Sequence, residues 1–360
     1  MYKIMTPGPT QVRENVRMAR SLVCTNPDLD PGFFDYYKET CELISELLHT
    51  ENEALILGGE GILGLEAACA SLTEPGDKVL VIDNGVFGKG FADFVTMYGG
   101  EVTYYTASYT REIDMAAFSD FLKEHHDFKY ATMVHCDTPS GVLNPVEEMC
   151  QELHRYGILT VVDAVSSMFG EPLMVDYGEI DIACGGSQKA LSAPPGLTFL
   201  TVSEAAKKVM EKRRIPIASF YANLLVFKDY YEKQWFPYTM PISDIYGLRT
   251  ALENAKADKN RLVRHARLGE LTRKRVQEMG FELYLESGYC NTVTVVKVPE
   301  GMTAEQILDA MRNEHHIMIA GSFDVMAGHV IRIGHMGENA NEADVAETLD
   351  ALEAVVRKYR

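Results

Sequence analysis

Short runs of consecutive apolar residues recur from about residue 54 to residue 202. Longer segments separate them, with apolar positions every three or four residues. The runs occupy 54–57, 79–82, 131–134, 158–162, 181–184 and 197–200, with 102–105 as a seventh. Continuous rather than alternating apolarity predicts strands covered on both faces, as in a mainly parallel sheet. The stretches 61–73 and 146–156, and 33–48 ahead of the first run, read as helices. This alternation predicts a layered α/β domain with a seven-stranded sheet. Beyond it, 203–214 and 243–280 are charge-rich and helical in spacing. A strand (292–298), a helix (303–313), a short strand near Ile317, a strand (330–333) and a terminal helix (341–358) follow. That order predicts an N-terminal arm (1–20), a large domain (21–258) and a small α+β C-terminal domain (259–360). The arm, with two prolines in Thr6-Pro7-Gly8-Pro9-Thr10, reads as extended.

Composition narrows the class. The 360 residues are 46% hydrophobic and 24% charged, which excludes a disordered or collagen-like chain. Fifty-two acids against 34 bases give a net charge of -18, so no nucleic-acid partner is expected. Seven cysteines with no C-x-x-C spacing argue against a disulfide framework or a zinc site and favour a reducing compartment. The pairs His125-His126 and His315-His316 point apart on any regular element, so no metal is expected. No run of about 18 apolar residues exists, and the opening residues lack a signal peptide's apolar core. A cytoplasmic location without membrane association is expected.

One motif points two ways. Leu57-Gly58-Gly59-Glu60-Gly61-Ile62-Leu63-Gly64 follows a predicted strand and opens a predicted helix. It contains G-x-G-x-x-G, and Asp83 ends the next strand 19 residues beyond Gly64. That is a dinucleotide fingerprint with its ribose acid. A glycine-rich turn that presents backbone N–H groups to a phosphate is equally compatible. A dinucleotide fold usually begins at its first strand, whereas about 50 residues precede this one.

Two later segments carry more specific chemistry. Asp163 lies at the carboxyl end of a predicted buried strand, where α/β sheets place ligands. Twenty-six residues on, Lys189 follows another strand in Gly185-Gly186-Ser187-Gln188-Lys189-Ala190-Leu191, with no other charge from 182 to 199. A lysine is ordinarily a solvated surface group. One desolvated in small apolar surroundings has a lowered pKa and forms Schiff bases. Pyridoxal 5'-phosphate (PLP) enzymes need such a lysine, an acid on the pyridine nitrogen, and a phosphate cradle. Lys189, Asp163 and the backbone at Glu60, Gly61 and Ile62 are candidates for the three.

From Pro7-Gly8-Pro9 to Val330-Ile331-Arg332-Ile333-Gly334 the chain resembles the class V (fold type I) PLP-dependent aminotransferases, in particular the alanine–glyoxylate/serine–pyruvate group. Gly186-Ser187-Gln188-Lys189-Ala190-Leu191 with Ala193-Pro194-Pro195-Gly196 carries the resemblance most strongly. It implies the large PLP-dependent transferase fold and a homodimer. Lys189 becomes the Schiff-base lysine, Asp163 the pyridinium partner, Gln188 a phosphate ligand, and Arg332 the site for the substrate carboxylate. Thr138 matches the hydroxyl residue near the cofactor's phenolic oxygen. Phe87 stands at the ring-stacking position, often Trp in the family. Glu60 replaces a small polar residue in the phosphate loop; since an acid repels a phosphate, only its backbone is expected to contribute. In the family a segment of the other subunit reaches the phosphate. Here it is Phe236-Pro237-Tyr238-Thr239, with Thr239 matching a threonine and Phe236 replacing a tyrosine. The arm at Thr6-Pro7-Gly8-Pro9-Thr10 is expected to wrap the partner too, and Trp235 to pack beside the segment.

The function implied is transfer of an amino group from alanine or serine to glyoxylate or pyruvate by a ping-pong mechanism. The alternatives are a 2-aminoethylphosphonate–pyruvate or ureidoglycine-type transaminase of the same fold, a cysteine desulfurase-like PLP lyase, and an NAD-dependent dehydrogenase built on Gly59, Gly61, Gly64 and Asp83.

Overall fold

The computed structural model describes residues 2–359. Each of the seven apolar runs forms a strand: β1 (Glu53–Gly58), β2 (Lys78–Asp83), β3 (Glu101–Thr106), β4 (Tyr130–Val134), β5 (Leu159–Asp163), β6 (Ile182–Gly186) and β7 (Leu197–Val202). They make one sheet in the order β1-β7-β6-β5-β4-β2-β3. β7 runs antiparallel to both neighbours, and the remaining pairs are parallel. Every position of β4, β5, β6 and β7 is buried. β3 differs from the expected two-sided cover: it lies at the sheet edge, and its positions are exposed or half-buried.

Helices α1 (Pro31–Leu47), α2 (Gly61–Leu72) and α3 (Val86–Met97) pack near this sheet. Asp30 caps α1, its carboxylate accepting the Gly32 N–H at 2.9 Å, with Pro31 at the first helical position. The main apolar core gathers residues from Val16 to Leu252 on both sides of the sheet.

A second core joins Leu268, Val276, Ile307, Leu349 and Val355. It lies among helices Arg261–Glu278, Ala304–His315 and Glu342–Tyr359, beside an antiparallel pair, β8 (Val293–Lys297) and β9 (Val330–Gly334). Thr303 and Gln306 form a reciprocal capping box at the start of Ala304–His315. The helical stretch expected over 243–280 is two helices, Ile242–Ala257 and Arg261–Glu278.

The arm is not extended throughout, because Glu14–Ala19 forms a helix. Nor does it reach away from its own chain. Lys3–Ile4 pairs in parallel with Ile317–Met318, Met5 is buried in the second core, and the Thr10 N–H donates to the Gln188 carbonyl at 3.0 Å. Residues 3–10 therefore tie the two cores together.

Candidate active site

The carboxyl ends of β5 and β6 lie side by side, with Asp163 aligned to Cys184. Asp163 and Lys189 open on a common cavity of about 180 Å³, which Glu60, Gly61, Ile62, Phe87, Thr138 and Gln188 also line. The topology thus brings eight of the ten expected site residues into one place. Arg332, on β9, stands behind Thr138, and Thr239 lies elsewhere.

Lys189 follows β6 on a tight turn. Its ammonium donates to the Pro7 carbonyl at 2.6 Å and to Thr138 Oγ1 at 3.4 Å. Burial lowers its pKa to about 8, helped by the charge of Arg332 and opposed by that of Asp163. The arm is the cover: a Cβ on Gly8 would lie 2.5–2.7 Å from the end of the Lys189 side chain, and Gly8 has φ +117°. Glycine alone permits that backbone at that approach. Composition around Lys189 predicts its desolvation, but no local signal predicts a cover drawn from the start of the chain.

Asp163 is buried, and its Oδ1 accepts the Val165 N–H at 2.8 Å. Burial still raises its pKa to about 7. A buried acid so held favours a positively charged partner that restores its ionisation. Thr138 links two charges: its hydroxyl meets Lys189, and its carbonyl accepts from Arg332 Nη1 at 3.3 Å. Arg332 is anchored also through Nε to the Gly321 carbonyl at 2.6 Å, and burial lowers its pKa to about 10.

Phe87 is half-buried on the cavity wall and meets Phe323 edge-on, with ring centroids 5.8 Å apart. Asp137, which the sequence reading passed over, sets its position. The Asp137 carboxylate accepts the Phe87 N–H at 3.0 Å and the Ser140 hydroxyl at 2.8 Å. The signal was available in Asp137-Thr138-Pro139-Ser140-Gly141, an acid at the start of a turn that feeds the site. His135 is buried and absent from the cavity wall; burial pushes its pKa down to about 4.

The Glu60 side chain departs from expectation. It caps α2: Oε1 accepts the Ile62 N–H at 3.1 Å, and Oε2 accepts from Gln188 Nε2 at 3.1 Å. Side chain as well as backbone faces the cavity, and the donors expected for a phosphate serve this carboxylate.

Thr239 is exposed, donates to Asp28 Oδ2 at 3.4 Å, and does not line the cavity of its own chain. Phe236 is buried, stacked on Phe34 at 4.5 Å. Trp235 is 54% exposed rather than packed.

The dinucleotide reading fails on topology. β1 sits at the sheet edge, and four strands separate it from β2. Asp83 therefore does not end the strand beside the one that feeds the glycine turn, as a dinucleotide fold requires. Its carboxylate instead accepts from the Tyr109 hydroxyl at 2.6 Å. Gly59, Gly61 and Gly64 serve packing. All seven cysteines are free thiols and Cys24 is the exposed one, so a lyase nucleophile on an exposed loop has no candidate near the cavity. Among the described residues, no group of three or more His, Cys, Asp or Glu could hold a metal ion. No helix there is long and apolar enough to cross a membrane.

Comparison with known proteins gives the same answer. An uncharacterised aminotransferase of Methanocaldococcus jannaschii is 36% identical, over 99% of this chain and 92% of its own. A pyridoxamine–pyruvate transaminase of Mesorhizobium japonicum is 34% identical, over 90% and 84%. The crystal structure of the ureidoglycine–glyoxylate aminotransferase of Bacillus subtilis superposes with a TM-score of 0.96 at 31% identity, over 100% of this chain and 94% of that one. The aminotransferase class-V family model matches residues 25–346, and this chain belongs to the class V aminotransferases.

Proposed function

We propose that the cavity takes a pyridoxal ring on Lys189 and Asp163 and moves an amino group from a small amino acid, alanine or serine, to a 2-oxo acid, glyoxylate or pyruvate. The observation that carries this reading is the buried Lys189 amine, covered by Pro7 and Gly8 and opening on the same cavity as the buried acid Asp163. The residues fit the ring half of PLP: Asp163 for the pyridine nitrogen, Phe87 for the ring face, Thr138 for the phenolic oxygen. The phosphate half meets Glu60 and fits less well. When bound, the ring supplies the carbonyl that carries the amino group and an electron sink beside it.

The protein's own residues then do the rest. Lys189, neutral once deprotonated, attacks a carbonyl and afterwards moves a proton at the amino-bearing carbon of the substrate. Asp163 keeps a proton on the ring nitrogen. Arg332, fixed at Nε and Nη1, holds the substrate carboxylate, and the arm at Pro7 and Gly8 covers the site. Donor and acceptor use the same groups in turn, so the kinetics are ping-pong. Residues 259–360 contribute Arg332 as a small domain beside the larger one of residues 21–258, and two copies form a homodimer in the cytoplasm.

A second reading has support in Glu60. The 34% identical relative is named for pyridoxamine, whose ring bears an alcohol where PLP bears a phosphate. The ureidoglycine and 2-aminoethylphosphonate donors remain the alternatives on the amino-acid side.

A half-reaction screen tests the proposal. The protein, supplied with pyridoxal or PLP, is mixed with amino acids or aminoethylphosphonate and with pyruvate or glyoxylate, and products are followed by mass spectrometry. Alanine or serine should be consumed, and Lys189→Ala should abolish turnover. Undiminished turnover in Lys189→Ala would sink the site; dominant aminoethylphosphonate turnover would replace the donor.

A further inference from the structure

The phosphate end of the cavity already holds an anion. The Glu60 carboxylate caps α2 through the Ile62 N–H, and its other oxygen takes Gln188 Nε2, both at 3.1 Å. A helix N-terminus stabilises one nearby negative charge. A phosphate ester carries about two at neutral pH and would lie against Glu60. Among the described residues lining the cavity, Lys189 is the sole basic side chain, and it serves the carbonyl end.

A second observation states what the site lacks. Gln188 is 7% exposed, and its Oε1 is buried without a partner. Because a carboxylate only accepts, the amide must turn Nε2 toward Glu60 and leave Oε1 over. That end of the cavity therefore offers two acceptors, Glu60 and Gln188 Oε1, and wants a donor. An alcohol O–H is a donor; a phosphate dianion is not. Ser166 Oγ, also buried and unpartnered on the cavity wall, can donate or accept and does not discriminate.

We propose that Glu60 is the residue that sets which form of the ring this protein takes, selecting the free alcohol, pyridoxamine or pyridoxal, over the phosphate ester. This rests on the reading that the cavity holds a pyridoxal ring. Without a phosphate anchor, the ring exchanges with solution.

Binding of pyridoxamine and of pyridoxamine 5'-phosphate tests this, since neither has an aldehyde and Lys189 chemistry is left out. Titration calorimetry on the intact protein should show pyridoxamine binding tighter by on the order of tenfold or more. Glu60→Ser keeps a favoured helix cap and should shift the ratio at least about tenfold toward the phosphate. Glu60→Gln, which keeps length and removes charge, should shift it the same way. Equal affinities in the wild type, a preference for the phosphate, or a ratio unmoved in both variants would overturn the role of Glu60 and leave the ring site standing. Binding of neither compound to wild type or variants would overturn the ring site as well.

Discussion

Lys189 shows how much a covering arm changes one side chain. An exposed lysine has a pKa near 10.5, so at pH 8 about three in a thousand are neutral. With the pKa lowered to about 8, half are. The sign is set by burial first and Arg332 second, both of which disfavour the ammonium, while Asp163 pulls the other way. Labelling of the unliganded protein with a small aldehyde and borohydride, read by peptide mass spectrometry, should show Lys189 reactivity rising through pH 7–8 and levelling near pH 9. Lys78, whose pKa its pairing with Asp127 raises, should still be climbing there. A Lys189 profile that follows Lys78 would mean the amine is not desolvated. The same local physics made Lys189 and Asp163 readable from the chain: each stands past a continuous apolar run, in surroundings with little competing charge. The Pro7 carbonyl was not readable, because it acts through a contact that only folding creates, across 182 residues.

At the scale of elements, α2 delivers Glu60, Gly61 and Ile62 to the cavity, and it can do so only by lying close on the sheet. A Cβ on Gly64 would stand 2.4 Å from Thr198 Oγ1, a buried hydroxyl that donates to the Gly185 carbonyl at 2.8 Å. Gly64→Ala must rotate Thr198 off that bond or lift the helix. Overpacking of this kind costs about 1–3 kcal/mol, so urea denaturation should show a lower midpoint, and pyridoxamine should bind more weakly as the Glu60 end moves. Unchanged stability and binding would mean the helix has slack. The glycine spacing that suggests a dinucleotide site is thus a packing device. Six strands were legible because buried strands must be apolar along their length; the exposed β3 was legible only from its β-branched and aromatic residues, Val102 to Tyr105. The order of the strands was not: apolarity says that a strand is covered, not which strand covers it. The edge position of β3 and the antiparallel run of β7 follow from connections that leave no residue signature.

At the scale of the molecule, the chain presents exposed aromatic rings beside the loop that carries Thr239. Phe220 is 56% exposed, and Tyr221 and Trp235 are each 54% exposed. Phe236, stacked between Phe34 and Tyr230, anchors the loop from below and leaves Thr239 at the surface. Rings of this size standing in water mark contact surfaces. A two-fold axis would bury both copies of one patch at once, so that one segment serves two sites. The family resemblance puts Thr239 at the other copy's cavity, near the end closed by Glu60. A homodimer should therefore scatter light as twice the 40.2 kDa of one chain. Thr239→Ala should weaken ring binding, and if the partner completes the cavity, wild-type affinity should fall on dilution below the dimer's dissociation constant. Trp235→Glu, placing a charge in the patch, should lower the mass and the affinity together. A fully active protein that scatters as a single chain, with ring affinity independent of concentration, would refute the shared site and return Thr239 to an ordinary surface turn.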